Sequence, residues 1–309
     1  MNRHCTSDIV MIRPASFCYN EETATNNAYQ HKTDNSAVHS IQQKALHEFD
    51  VFAAKLSDAG VNTIIIPDKP EPPKPDAIFP NNWISFHEDG AVVLYPMYAV
   101  NRRTERRKDI LETLEKQCGF SVSTIIDLTH YEQEGKFLEG TGSLVLDRVN
   151  KIAYASVSER TSPELVEEFC KHLNYKPVFF HALEDGVAVY HTNVLISVCS
   201  KFVVICLDYI SSEDEKRYLI EVFRSTGKEV LAITKKQASC FAGNMLELSS
   251  KKGESLLVMS TCAFNSLDRV KVSFLQKNCN IIHSPLDTIE KHGGGSARCM
   301  IAEVFLPSR

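Results

Sequence analysis

Five polar residues, Asn82, Glu139, His191, Asn244 and Cys299, stand at intervals of 57, 52, 53 and 55 along a chain of 309 residues. Each opens onto an apolar run, so the spacing predicts one position repeated in five equivalent units. Arranged about an axis, such units would bring the five side chains together, and the set holds a thiol, an imidazole and a carboxylate. That set suits covalent catalysis. A cysteine attacks as its thiolate, a neighbouring imidazole takes or stabilises the proton, and a carboxylate orients the imidazole or accepts a substrate N–H. Taken singly, each residue has a blander reading: the histidine as a satisfied core or surface group, the cysteine as one of ten in the chain. The shared phase is what singles out Cys299, His191 and Glu139.

The elements that must carry these residues follow from the pattern after each opener. Trp83 to Phe86, a turn at His87 to Gly90 and Ala91 to Tyr95 read as a hairpin. The same pattern recurs at Ser143 to Leu146 with Ile152 to Ala155, at Val194 to Val198 with Phe202 to Cys206, and at Met245 to Leu248 with Leu256 to Met259. After Cys299 only one run, Met300 to Phe305, remains, and the unpaired Ile9 to Arg13 near the start of the chain is its natural partner. Amphipathic helical stretches cover about 36 to 59, 102 to 117 and 266 to 278; Thr161-Ser162-Pro163-Glu164, with Pro inside the first turn, and Ser212 with Glu215 mark two more helix starts by capping-box signatures. Short strands follow at Asn62 to Pro67, Val122 to Leu128, Lys176 to His181, Glu229 to Thr234 and Asn280 to His283. The unit is ββαβ. Periods of about 50 residues indicate solenoids or propellers, so the expected fold is an α/β five-bladed propeller closed by the N-terminal strand, a single domain over 1–309.

Composition narrows the function. With 34 basic and 39 acidic residues the net charge is −5, which leaves no basic excess for a nucleic-acid partner. No apolar run is long enough to span a bilayer, and the polar Met1 to Asp8 lacks the apolar core of a secretory signal. The expectation is a soluble, cytoplasmic protein without disulfides, in which the other cysteines are filler or inert. His283 and His292 have no partner at metal-ligand spacing and no H-E-x-x-H is present, so neither a metal nor another cofactor is expected. Gly293 to Gly295 is not a phosphate loop, because the lysine of that motif is missing and a strand rather than a helix follows.

Phe137 to Gly142, His191-Thr192-Asn193 and Gly293 to Cys299 resemble, in order and spacing, the Glu-Gly-Gly, His-x-Asp and glycine-loop-Cys motifs of the pentein superfamily of guanidino-group-modifying enzymes. Met11 to Ala15 and Pro75 to Trp83 are similar to the amidinotransferase-like group associated with citrulline utilisation, and the resemblance covers nearly the whole chain. It implies that Cys299 attacks the central carbon of the substrate group, that His191 protonates the departing amine, and that Glu139 completes the catalytic set. Members that act on a cationic guanidinium carry aspartates at the positions matched here by Asn82 and Asn193. An amide offers a donor and an acceptor without charge, which suits the neutral ureido group of citrulline. Asp76 and Glu139 still supply carboxylates, so arginine-like substrates stay open.

Other assignments are expectations of the same kind. Asn244 joins Asp76, Asn82 and Asn193 as a substrate-binding candidate. The run Asn101 to Arg107 is either a solvated basic helix start or, by the resemblance, the source of a carboxylate fork from Arg102 or Arg103. Asn20, Glu21, Thr23, Asn26 and Asn27 read as a polar loop in preference to a lid. The favoured activity is hydrolysis of citrulline to ornithine, ammonia and carbon dioxide through an S-carbamoyl cysteine. The rivals are transfer to an amine acceptor, hydrolysis of arginine or dimethylarginine, and a non-enzymatic binding module of the same architecture. The partner is a small amino acid, and a symmetric homodimer is compatible with a sequence that shows no exposed seam for it.

Overall fold

Hairpins form where apolar runs meet turn residues. Gly90, with φ of +82°, closes the first of them in a conformation that L side chains rarely adopt. The computed structural model describes residues 3–32 and 38–309, and within these the chain alternates strands and helices. It begins with β1 (Asp8–Arg13), α1 (Val38–Asp58) and β2 (Asn62–Pro67). The next unit is β3 (Ile84–Phe86), β4 (Ala91–Leu94), α2 (Lys108–Lys116) and β5 (Thr124–Asp127). After the short helix α3 (Gly140–Ser143) come β6 (Val145–Asp147), β7 (Ile152–Ser156), α4 (Pro163–Leu173) and β8 (Lys176–Phe180). A small hairpin, β9 (Leu183–Glu184) and β10 (Val187–Ala188), precedes β11 (Ile196–Val198), β12 (Phe202–Ile205), α5 (Glu213–Ser225) and β13 (Glu229–Ala232). The chain then runs through α6 (Lys235–Ser239), β14 (Leu246–Ser249), β15 (Ser255–Ser260), α7 (Thr261–Ser266), α8 (Arg269–Asn278), β16 (Asn280–Ser284), α9 (Asp287–Gly293) and β17 (Ala302–Glu303).

Five three-stranded sheets result, ordered β3-β4-β5, β6-β7-β8, β11-β12-β13, β14-β15-β16 and β17-β1-β2. In each, the central strand pairs antiparallel with one neighbour and parallel with the other, the parallel partner arriving through a helix. The fifth is assembled from both ends of the chain, with Ile9 opposite Glu303 and Val10 opposite Ala302. Among the described residues these are separate open sheets, and no continuous sheet closes on itself.

The helices pack because their apolar faces have sheets to cover. In α4, Leu165, Val166, Phe169, Cys170 and Leu173 are buried at helical spacing against Tyr95, Leu144 and Ala153. Each fully buried large apolar side chain contributes about 1.5–3 kcal/mol. A Schellman-like end at Asn174, φ +57°, stops the helix before β8.

Several local expectations need correction. Gly140 to Ser143 coil into a helix, because Gly142, Ser143 and Leu144 N–H groups bond back to Glu139 and Gly140; the strand starts only at Val145. The stretch 102 to 117 divides into a 3-10 turn, Asn101–Glu105, and α2. The stretch 266 to 278 divides where the Asp268 side chain caps α8. Residue 36, the expected start of the first helix, lies outside the described residues. Ser162 makes no side-chain cap bond, whereas the Ser212 hydroxyl accepts from Glu215 N–H and the Glu215 carboxylate bonds His181 instead of completing a box. A full capping box does form between Thr234 and Gln237.

Candidate active site

The openers do not share one phase. Asn82, Asn193, Asn244 and Cys299 stand two or three residues before their strands, while Glu139 and His191 stand a helical turn earlier. The interposed turns are α3 after Glu139 and the 3-10 turn Thr192–Val194 after His191. Two groups form accordingly.

In the first, His191 Nε2 lies 2.8 Å from Glu139 Oε2, with both residues buried. Burial alone would raise the Glu139 carboxyl, but Arg160, with Nη1 at 3.4 Å, and His191 outweigh it and hold the group well below the usual carboxylate range. The carboxylate is therefore ionised, and Nε2 carries the hydrogen toward it. Burial drives the imidazole down to about 4 against the pull of Glu139. At neutral pH the ring is neutral, with Nδ1 as its lone-pair nitrogen. Gly142 makes this placement fit, since a Cβ there would stand 2.7 Å from His191 Nδ1.

In the second, Cys299 Sγ receives Asn244 Nδ2 at 3.3 Å and Asn193 Nδ2 at 3.5 Å. Burial raises the thiol, while hydrogen bonds from the Ser296 backbone, Asn244 and Asn193 and the charge on Arg298 pull it back. The glycine loop ends α9, with Gly294 at φ +64° and Asn27 and Gln30 packed against it where a Cβ would sit.

Both groups reach one small cavity of about 10 Å³, where Cys299, His191, Asn82, Asp76, Arg102 and Arg160 meet Thr23, Asn27, Phe79, Tyr190 and Gly293 to Gly295. Asp76 accepts from Asn20 Nδ2 at 2.7 Å and Thr23 Oγ1 at 3.1 Å through Oδ2, and its buried Oδ1 has no hydrogen-bond partner among the described residues. Burial raises this carboxyl, opposed by Arg102, Asn20 and Thr23. A larger hollow of about 730 Å³ lies on the other side of Asn27 and Tyr190 and is lined by neither Cys299 nor His191.

The remaining candidates divide. Asn193 and Asn244 contact the sulfur and do not line the cavity. Arg103 is half-buried elsewhere, with Nε 3.3 Å from Glu132, because its position in the 3-10 turn faces away from Arg102. Arg102 lines the cavity, but Glu105 already takes Nε and Nη2 at 2.9 Å each, and Asn82 Oδ1 takes Nη1 at 2.9 Å. The segment read as a polar loop packs over the cavity: Thr23 and Asn27 line it, Asn20 holds Asp76, and Gln30 Nε2 donates to Gly293 O at 3.2 Å. The sequence reading missed Arg160. Its Nη2 donates to Thr23 O at 2.7 Å and its guanidinium lies over Tyr190 at 5.1 Å. A signal existed, for Arg160 follows Glu139 by 21 residues as Arg102 follows Asn82 by 20. Among the described residues no group of three His, Cys, Asp or Glu side chains is placed to hold a metal ion, and no helix is long and apolar enough to cross a membrane.

Residues 13–306 match the family model of eukaryotic N,N-dimethylarginine dimethylhydrolase. Among solved structures, ArgZ, an arginine dihydrolase of the ornithine–ammonia cycle in cyanobacteria, is similar with a TM-score of 0.73 at 17% identity, over 98% of this chain and 41% of that one. This chain thus spans about two fifths of that enzyme. The N-terminal domain of ArgZ bound to substrate gives 0.72 at 18% identity, over 97% and 99% of the two chains. A dimethylarginine dimethylaminohydrolase in adduct with S-methyl-L-thiocitrulline gives 0.65 at 15%, over 98% and 100%. At such identities the likeness is one of fold. No curated protein matches by sequence.

Proposed function

This chain belongs to the eukaryotic N,N-dimethylarginine dimethylhydrolase family, within the pentein superfamily, and we propose that it is a cysteine-dependent hydrolase that cleaves the ureido C–N bond of citrulline. The five sheets are read as the five blades of a single-domain propeller with the cavity at its centre. The observation that carries the substrate choice is Asn82: the cavity wall bears an amide there, and among the described residues Asp76 is the only carboxylate on the wall. A neutral ureido group needs donors and acceptors more than counter-charge.

In the proposed sequence His191 takes the Cys299 proton and the sulfur attacks the ureido carbon. The bond from that carbon to the side-chain nitrogen breaks, and the protonated His191 returns its proton to this nitrogen, so ornithine leaves. S-carbamoyl Cys299 remains. His191 then deprotonates a water, which attacks the same carbon; the C–S bond breaks, the sulfur takes the proton back from His191, and carbamic acid leaves, decomposing to ammonia and carbon dioxide. Glu139 orients the imidazole and stabilises its charged form. Asp76 Oδ1 is assigned to a substrate N–H, with Asn82 beside it, and Arg160, held on the wall by Asn26, Thr23 and Glu139, to the α-carboxylate.

The named activities of the relatives support a second reading, hydrolysis of arginine or dimethylarginine, with Asp76 countering the cation. Transfer of the group to an amine in place of water uses the same residues. A panel of citrulline, arginine, methylated arginines and agmatine, with and without added amine, decides among them by ornithine and ammonia release and by the mass of the trapped Cys299 adduct. Citrulline is expected to yield ornithine and a carbamoyl adduct. Consumption of arginine with no ornithine from citrulline overturns the substrate choice, and full activity in Cys299→Ser overturns the mechanism.

A further inference from the structure

Asn244 was expected to touch substrate, yet it is fully buried, off the cavity wall, with its side chain among backbone groups of two other units. Its Oδ1 accepts the N–H of Arg298 at 3.1 Å, and its Nδ2 donates to the Asn193 carbonyl at 2.8 Å. These two partners decide which way the amide faces. Turned over, the NH2 would meet a backbone N–H and the oxygen a backbone carbonyl, leaving two buried groups without bonds. With the orientation settled, the second hydrogen on Nδ2 has Cys299 Sγ in reach at 3.3 Å. Asn193 Nδ2 also approaches the sulfur, at 3.5 Å, but no further bond to its side-chain amide fixes which end it presents.

We propose that Asn244 is a positioning residue for the nucleophile: its locked amide aims one N–H at Cys299 Sγ, favours the anionic sulfur and holds it pointing into the cavity. The inference rests on the reading of Cys299 as nucleophile. A hydrogen bond from a fixed neutral donor is stronger to a thiolate than to a thiol, so it lowers the cost of deprotonation inside a buried site. The same side chain ties the turn before the nucleophile, through Arg298 N–H, to the turn before β14. Sulfur direction and loop position are thereby set by one group. The other ionisable groups around the sulfur are Arg298 beside it in the chain, Tyr190 across the cavity, and Asp76, Arg102, Arg160 and His191 on the wall. Among the described residues, the side-chain hydrogen bonds to Sγ come from the two asparagines.

The test is the pH profile of Cys299 carbamidomethylation by iodoacetamide, followed by peptide mass spectrometry in the full-length enzyme, which needs no knowledge of the substrate. Asn244→Ala is expected to raise the midpoint of that profile by about 1 to 2 pH units. With the substrate identified by the panel, kcat should fall about 10- to 100-fold with KM within about twofold. Asn244→Asp keeps the volume, guards against a packing defect in the alanine variant, and should raise the midpoint at least as far, since a carboxylate has no hydrogen to offer the sulfur. A midpoint unchanged in a folded variant, or a rise confined to KM, overturns the proposal. Loss of activity in Cys299→Ser with an unmoved Asn244→Ala profile refutes the role of Asn244 alone; full activity in Cys299→Ser refutes the nucleophile itself.

Discussion

His191 Nε2 and Glu139 Oε2 stand 2.8 Å apart with both side chains sealed from solvent, an arrangement that keeps the imidazole neutral and the carboxylate charged. Its pH dependence has a definite sign. The folded imidazole refuses a proton until about pH 4, whereas an unfolded one takes it near 6.5, so the unfolded state binds more protons between these values. Stability contributed by this group is complete above 6.5 and is lost as pH falls toward 4. The depressed Glu139 carboxyl extends the loss below 4.5, its ordinary value. Melting temperature measured from pH 7.5 to 4 is expected to hold level down to about 6.5 and to fall from there to 4, and a flat profile below 6.5 contradicts the assignment. Glu139→Gln should cut kcat by about 100-fold or more, because the amide can neither fix the tautomer nor balance a charged ring.

Gly142→Ala is expected to remove most of the activity while leaving the fold intact. The added methyl would lie 2.6 Å from Asn82 Nδ2 and 2.7 Å from His191 Nδ1, so one of these side chains must move. A displacement of that size at the reacting groups costs about 100-fold in rate. Turnover together with far-ultraviolet circular dichroism checks it, and a variant with native turnover would show that His191 does not need its present position.

Arg102 and Arg103, adjacent in sequence, should behave oppositely. Arg102→Ala strands the buried Glu105 without its bidentate partner and is expected to cost about 3–5 kcal/mol of stability. Arg103→Ala loses a partly exposed pair with Glu132 and should change stability by less than about 1 kcal/mol and leave KM unaltered. Urea titration of both variants, with KM measured on each, tests the contrast. A raised KM in Arg103→Ala alone would return the carboxylate fork to that residue.

The repeat was readable because each unit spells its hairpin in alternating apolar runs and turn residues, and because the pairing of Ile9 and Val10 with residues 302–303 was the one way to supply the last unit's missing strand. The site was readable only as a set of residue types. Spacing counts residues along the chain, not rise along an axis. The coil at Gly140 to Ser143 and the turn at Thr192 to Val194 therefore shift Glu139 and His191 out of register with Asn82, Asn244 and Cys299, unseen in the interval lengths. Arg160 left only its spacing from Glu139 as a signal, since its other partners, Thr23 and Asn26, are more than 130 residues away in sequence and side-chain meetings at that distance leave no local pattern.

The pairing of β1 with β17 also sets an order of events in time. Ile9 leaves the ribosome 294 residues ahead of Glu303, its partner across the sheet. Contacts of such separation form late, since the loop they close is costly to restrict. Cys299 is held in the turn immediately before that last strand. The nascent chain therefore carries its carboxylate and imidazole long before its nucleophile, and reactivity is withheld until β1 and β17 have met.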